Sequence, residues 1–222
     1  MPWSLTVLSD SESWINDHIV TLVDGWSGEG HQVTWCHQSD DLPTGELCFV
    51  LSYSRVLDAE SLARHARTLV VHESDLPRGR GWSPLTWQVL EGADRIPIVL
   101  FEAVERIDAG QVYLRDEIEL GGTELVDKLR ARQAFQTLGL CRRFVQEYPA
   151  ILKHGQPQVG DPTYFSRRAP WDSRLDPERS IAEQFDLLRV VDNERYPAWF
   201  EHRGRRYVLQ IAADERPSPG QV

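Results

Sequence analysis

Within the first 72 residues, four short apolar runs alternate with helix-forming stretches, and that alternation leaves few folds open. Leu5-Thr6-Val7-Leu8 is closed by the helix-start cluster Ser9-Asp10-Ser11, after which Trp14, Ile15, Ile19, Leu22, Val23 and Trp26 recur at helical spacing. Gly28 and Gly30 end that helix, Gln32–Cys36 reads as a second strand, and Leu47–Leu51 as a third that is apolar throughout. A helical stretch at Asp58–Ala66 leads to a fourth strand, Thr68-Leu69-Val70-Val71, ending at His72. Strands that are apolar on both faces must be covered on both, and strand-helix-strand crossovers are right-handed. The expected fold is α/β, a doubly wound, mostly parallel, Rossmann-like sheet.

The pattern continues beyond this point. Ser83–Leu90 reads as a helix opened by Pro84, whose missing N–H costs nothing in a first turn. Ile96–Ala103 and Gln111–Leu120 read as strands on either side of the polar turn Glu105–Gly110. Thr123–Glu147 follows as a long helix, with Thr123 as its cap and Leu125, Leu129, Phe135, Leu138 and Phe144 facing the core. Residues 1–150 therefore form one domain, and the Pro- and Gly-containing stretch 151–176 reads as a linker. Residues 177–213 form a small α+β appendage: a helix at Pro177–Arg189 and a hairpin at Arg203–Ile211, with Tyr196, Trp199, Phe200 and Tyr207 as its core. Residues 214–222 are expected to fray.

Charge narrows the function. The chain carries a net −10, with −11 over residues 1–140 and +1 over 141–222. Such a surface repels phosphates on average, so nucleic acid is not expected as the main ligand. Cys36, Cys48 and Cys141 are widely spaced and lack a CxxC or a nearby His pair, which points to buried thiols in a reducing compartment and to no metal site. No basic flank precedes the first apolar run, and no segment reaches the roughly 18 apolar residues of a membrane span. The expectation is a cytoplasmic protein with no membrane partner.

Ligands of an open parallel sheet gather beyond the carboxyl ends of its strands. That rule selects Ser52 and Tyr53, the stretch His72–Gly81, and Asp108-Ala109-Gly110. Alone, a histidine at a strand tip is commonly a satisfied structural group, and Asp-Ala-Gly between strands is commonly a turn. Together they gain meaning, because an aspartate on one tip can fix the tautomer of a histidine on another and stabilise its protonated form. No GxSxG elbow or GxxxxGK[ST] loop competes, which leaves general acid/base transfer as the leading chemistry.

These residues resemble the folate-dependent formyltransferases. The stretch Val70-Val71-His72-Glu73-Ser74-Asp75-Leu76-Pro77 is similar to that family's Asn-x-His-Pro-Ser-Leu-Leu-Pro signature. It is followed by Arg80-Gly81, Pro84-Leu85-Thr86-Trp87, the strand Ile98–Glu102 and Asp108-Ala109-Gly110. Upstream, Leu51–Leu57 resembles the loop lining the pterin pocket. Downstream, Thr163–Asp176 resembles the Arg-Arg-x-Pro-x-Asp passage, so the likeness covers roughly residues 3–212.

The resemblance implies N10-formyltetrahydrofolate as formyl donor and a primary amine as acceptor. His72 would accept the amine's proton and Asp108 would orient the ring and stabilise the imidazolium. Ser52, Tyr53, Leu76, Pro77, Gly79, Arg80, Gly81, Val104 and Ile107 would shape the folate site, while Glu73, Trp82 and Arg167 would meet the acceptor. One departure stands out. The family's Asn falls on Val70, so either a backbone N–H or a hydroxyl such as Ser52 or Ser74 supplies the oxyanion donor, worth about 3 kcal/mol, or activity is weak or absent.

The wording His-Glu-Ser-Asp-Leu-Pro followed by Gly-Trp-Ser-Pro-Leu-Thr-Trp is most similar to the short sugar N-formyltransferases linked to pseudaminic acid biosynthesis. That branch implies an amino-sugar acceptor, nucleotide-linked or a nonulosonic acid precursor, destined for a surface glycan. Its members are often dimers, which makes a homodimer the state to test. Three alternatives stay open: another small amine or aminoacyl acceptor, with initiator tRNA disfavoured by length and charge; a glycinamide ribonucleotide acceptor, opposed by Val70 and the appendage; and a degenerate folate or sugar-nucleotide binder. Trp87 and the pair Arg142-Arg143 read as packing and a solvated face, and Arg167-Arg168 either pins the linker or reaches an anion.

Overall fold

The computed structural model describes residues 1–214. Its main sheet contains β1 (Ser4–Leu8), β2 (Gln32–Cys36), β3 (Gly45–Val50), β4 (His65–His72), β6 (Arg95–Glu102) and β7 (Val112–Glu119). A two-residue β5 (Arg80–Gly81) pairs apart with β8 (Tyr164–Phe165). Across the main sheet the order is β2-β1-β3-β4-β6-β7. The first four strands are mutually parallel, whereas β6 runs antiparallel to both β4 and β7. The sheet is thus mostly parallel, as expected, with an antiparallel edge. The β6–β7 pairing follows from their short connection, which allows only a hairpin.

Three helices, α1 (Asn16–Gly28), α3 (Pro84–Leu90) and α4 (Val126–Glu147), cover one face. Trp26 meets Phe49 at 5.0 Å between ring centroids, and Phe49 meets Phe144 at 6.2 Å, so aromatic rings tie both long helices to β3. Each such side chain stabilises the fold by about 1.5–3 kcal/mol through burial. Smaller clusters fill the other face, one around Leu8, Cys36, Leu42, Cys48 and Val50 and one around Leu76, Val99, Phe101 and Val112. All three cysteines are buried and unpaired. Among the described residues no helix is long and apolar enough to cross a membrane.

Several elements differ from the sequence reading. A short α2 (Ala59–Leu62) replaces the helix expected to Ala66, because Asp58 caps it through the Ser61 N–H at 2.8 Å and β4 already begins at His65. Thr123 is not the cap of α4: the Glu124 carboxylate takes the Gly121 and Thr123 N–H groups at 2.7 and 3.2 Å, and the helix starts at Val126. Phe135 is 74% exposed, since Ala134, Thr137, Leu138 and Cys141 occupy the inner stripe. In place of a helix over Pro177–Arg189 there is a 3-10 turn, Ala182–Gln184, and the short α5 (Phe185–Arg189). The hairpin pairs β9 (Ala198–His202) with β10 (Arg205–Leu209), turning at Arg203-Gly204 instead of starting there.

The stretch read as a linker is bound along its length. Gln156 exchanges backbone hydrogen bonds with Val112 at 2.8 and 2.9 Å, β8 pairs with β5, and Trp87 donates its indole N–H to the Ser166 carbonyl at 2.8 Å. Arg168 donates to the carbonyls of Val190 and Asp172, so it pins this stretch. Of the tail 214–222, all but Asp214 lies outside the described residues.

A buried ion pair fastens α5 to the start of α4. Arg189, 3% exposed, donates to the Glu124 carbonyl at 3.2 Å and lies 3.3 Å from its carboxylate, which Arg132 approaches at 3.2 Å. Burial alone would raise the Glu124 pKa, but the Gly121 N–H and the two arginines outweigh it and hold the carboxyl below its usual value. A carboxyl lowered on folding stabilises fully above its unfolded pKa, about 4.3, and that contribution disappears as pH falls through the folded value. Arg189→Met is expected to cost about 3 kcal/mol, the low end for a broken buried pair because Arg132 remains, and to move acid unfolding to higher pH. Urea titrations at neutral pH and a circular-dichroism pH titration check both effects.

Candidate active site

The alternation of β4 prepares the site. Even positions face one side of the sheet and odd positions the other. Val70 accordingly packs with the second face and Val71 with the α1–α4 core. At the strand end this alternation sends His72 and Glu73 to opposite sides, and both line a single cleft of about 610 Å³ that wraps round the strand tips. That volume suits a small-molecule site.

His72 is 7% exposed, and its Nε2 lies 2.8 Å from the Gly79 carbonyl oxygen. A carbonyl only accepts, so Nε2 carries the proton and the neutral ring keeps its lone pair on Nδ1. Asp108 Oδ2 stands 4.0 Å from Nε2 and accepts the Gly81 N–H at 3.0 Å. At an effective dielectric near 20, a carboxylate about 4 Å from an imidazolium attracts it by about 4 kcal/mol before desolvation is counted. The loop behind Asp108 is fixed by the Gln158 amide, which donates to the Asp108 and Gly110 carbonyls at 2.8 and 2.9 Å.

Backbone strain gathers at this cleft. Ser52, Ser83 and Asp108 hold left-handed conformations with φ of 51°, 52° and 50°, and all three line it. Such conformations persist in non-glycine residues only where the surroundings enforce them, and they cluster at functional sites.

On the α4 side, Gln133 donates its amide to Glu73 Oε1 at 2.8 Å, and Gln88 of α3 donates to the Glu73 carbonyl at 2.6 Å. Burial pushes the Glu73 carboxyl above its usual pKa, against the opposing pull of His72 and the Gln133 hydrogen bond. Thr137, one turn along, is 3% exposed, lines the cleft and has a hydroxyl without a hydrogen-bond partner. The guanidinium of Arg167 stacks over the Trp82 ring at 5.0 Å on the rim.

The cleft gathers His72, Asp108, Ser52, Tyr53, Glu73, Gly81, Trp82, Val104, Ile107 and Arg167, but not every residue the sequence proposed for it. Leu76 packs with Val99, Phe101 and Val112 in the core. Ser74 is 3% exposed with its hydroxyl in the interior, so Ser52 is the hydroxyl of the two that lines the cleft. Gly79 takes its N–H to the Thr163 hydroxyl and its carbonyl to His72, making it a support of the histidine. Arg80, 4% exposed, donates to Gln158, and Pro77 sits beside Gly160, so both brace the 151–176 stretch instead. Sequence reasoning missed Arg130, Gln133 and Thr137. Their signal is polarity at positions 130, 133 and 137, on the helical stripe that continues to the buried Leu140, Cys141 and Phe144.

Comparison with known proteins places this geometry. The formyl transferase family profile matches residues 37–141, which contain both His72 and Asp108. The methionyl-tRNA formyltransferase of Streptococcus gordonii is 26% identical over 180 residues, 78% of this chain and 56% of its own length, so the chain spans little more than half of that relative. A likely sugar N-formyltransferase from Mycobacterium tuberculosis shares the fold at a TM-score of 0.71 and 18% identity, covering 98% of this chain and 100% of its own. HypX from Aquifex aeolicus, solved with tetrahydrofolic acid, does so at 0.73 and 15% identity over 95% of this chain and 38% of its own. The candidate pair His72 and Asp108 thus lies in a stretch, residues 37–141, that matches the formyl transferase family, and the chain shares the fold of these solved structures.

Proposed function

We propose that the protein is an N-formyltransferase that moves the formyl group of N10-formyltetrahydrofolate to the primary amine of an amino sugar. The observation that carries this reading is the position of the His72–Asp108 pair between two unlike walls of one cleft. The wall from the end of β6 and the loop after it offers Phe101, Ala103, Val104 and Ile107, an apolar surface suited to a flat pterin. The wall from α4 offers Arg130, Gln133 and the partnerless Thr137 hydroxyl, suited to a polyhydroxylated acceptor. The tetrahydrofolate bound to HypX and the sugar acceptor named for the mycobacterial protein support donor and acceptor respectively.

In this reading His72 takes a proton from the attacking amine at Nδ1 and passes it to the departing folate nitrogen. Asp108 stabilises the imidazolium in between. Ser52, held in the left-handed conformation at the cleft, stands in for the side-chain donor that Val70 lacks. An aminoacyl-tRNA acceptor is favoured by the name of the curated relative, but the net charge of −10 opposes it.

Calorimetric titration with 5-formyltetrahydrofolate is expected to give micromolar binding. Mass spectrometry is then expected to find a formamide on a nucleotide-linked 4-amino sugar incubated with the donor. Donor binding without transfer to any amine would leave only the degenerate binder, and absent donor binding in a folded sample would overturn the reading altogether.

A further inference from the structure

We propose that Glu73 is a second catalytic carboxylate, which binds the acceptor as an ammonium ion and takes its first proton. This rests on the amino-sugar reading above. A primary amine on a sugar arrives mostly protonated at neutral pH and cannot attack until it loses that proton. His72 and Asp108 handle the second proton, the one released once the C–N bond has formed, so the first needs another base.

The groups around Glu73 fit that task. It follows His72 directly, its Oε1 is tethered by Gln133 at 2.8 Å, and it lines the acceptor side of the cleft. The charged and titratable groups acting on it are His72 on its own strand end and Asp108 on the β6–β7 loop; the neighbouring Gln133 and Gln88 are neutral, and Arg130 of α4, on the same cleft, is paired with Asp192 at 2.9 Å. The carboxylate takes the Gln133 amide and its own backbone N–H, both neutral donors, so its negative charge is left for a cation. Partial burial, which raises its affinity for a proton, brings it nearer to an amine in basicity.

The protons balance. Glu73 carboxylate and the acceptor ammonium become carboxylic acid and neutral amine. The amine nitrogen bonds to the formyl carbon, the bond from that carbon to the folate nitrogen breaks, and His72 carries the amine's second proton to that nitrogen. Glu73 then returns the first proton to water, giving formamide, tetrahydrofolate and one proton.

The test compares the pH dependence of kcat/KM for the amino sugar in the native protein, Glu73→Gln and Gln133→Leu. Glu73→Gln preserves an acceptor for the Gln133 amide, and unchanged 5-formyltetrahydrofolate binding shows that each variant is folded. Glu73→Gln is expected to lose about 100-fold at neutral pH, with the deficit closing to about threefold once pH exceeds the acceptor amine's own pKa. Gln133→Leu, which keeps the carboxylate but frees it, should lose about tenfold with the same closing trend. A loss of equal size at every pH, or none, overturns the role of Glu73 while leaving the acceptor reading intact. If the native protein formylates no amino sugar, the acceptor reading falls and takes this proposal with it.

Discussion

His72→Ala is expected to lower formyl transfer about a thousandfold while 5-formyltetrahydrofolate still binds, within the range for removing a positioned acid/base group. The size follows from how little freedom the ring has. Its Nε2–H is fixed on the Gly79 carbonyl at 2.8 Å, its face is edged by Phe101 at 6.5 Å between centroids, and it is 7% exposed, so its lone pair is held at one point. Asp108, 4.0 Å away, remains in the variant with its carboxylate engaged by the Gly81 N–H at 3.0 Å. Single-turnover measurement of the native protein and the variant, with donor saturating, isolates the chemical step. A loss of tenfold or less, with folding intact, would make His72 the satisfied structural histidine that a lone strand-tip histidine commonly is.

How far the sequence reveals this site depends on the range of the forces involved. The tips of β3 and β4 and the turn after β6 are set by local pattern, and Ser52, Tyr53, His72 and Asp108 meet where an open sheet places its ligands. Ser74, Leu76, Pro77, Gly79 and Arg80 read as pocket residues because they lie between His72 and Gly81 in sequence. Gly79, Arg80 and Pro77 turn away because residues 151–176 come back and take them up through Thr163, Gln158 and Gly160, and Leu76 turns into the core against Val99, Phe101 and Val112. A contact between residues about 80 apart leaves no local pattern. The same limit hid Gln133 and Thr137, whose role depends on where α4 packs against the end of β4. It also explains Phe135, whose spacing from Leu138 fits a helix but whose side faces out.

Glycine in Asp108-Ala109-Gly110 is a further requirement that the fold explains. A Cβ on Gly110 would overlap the carbonyl oxygen of Glu102, the last residue of β6, and that atom is backbone, held by the hydrogen bond from the Glu102 N–H to the Gln111 carbonyl at 3.0 Å. A flexible side chain could turn aside; a strand end cannot. Gly110→Ala must therefore shift the loop that carries Asp108 and loosen the Gln158 clamp on both carbonyls. The expected cost is about 3 kcal/mol, the upper end for overpacking, and on the order of 10 °C in Tm for a chain of this size. Because the loop moves with Asp108, turnover should fall at least tenfold even at temperatures where the variant is fully folded. Gly139→Ala supplies the contrast: it lies on α4 with nothing near its Cβ position, so alanine there should stabilise by about 0.5–1 kcal/mol and leave turnover unchanged. Thermal unfolding and turnover of the two variants side by side separate a steric demand at the site from a general intolerance of alanine. Equal melting temperatures would mean that the β6–β7 loop can yield without strain, and Asp108 would then owe its position to the Gly81 N–H and Gln158 alone.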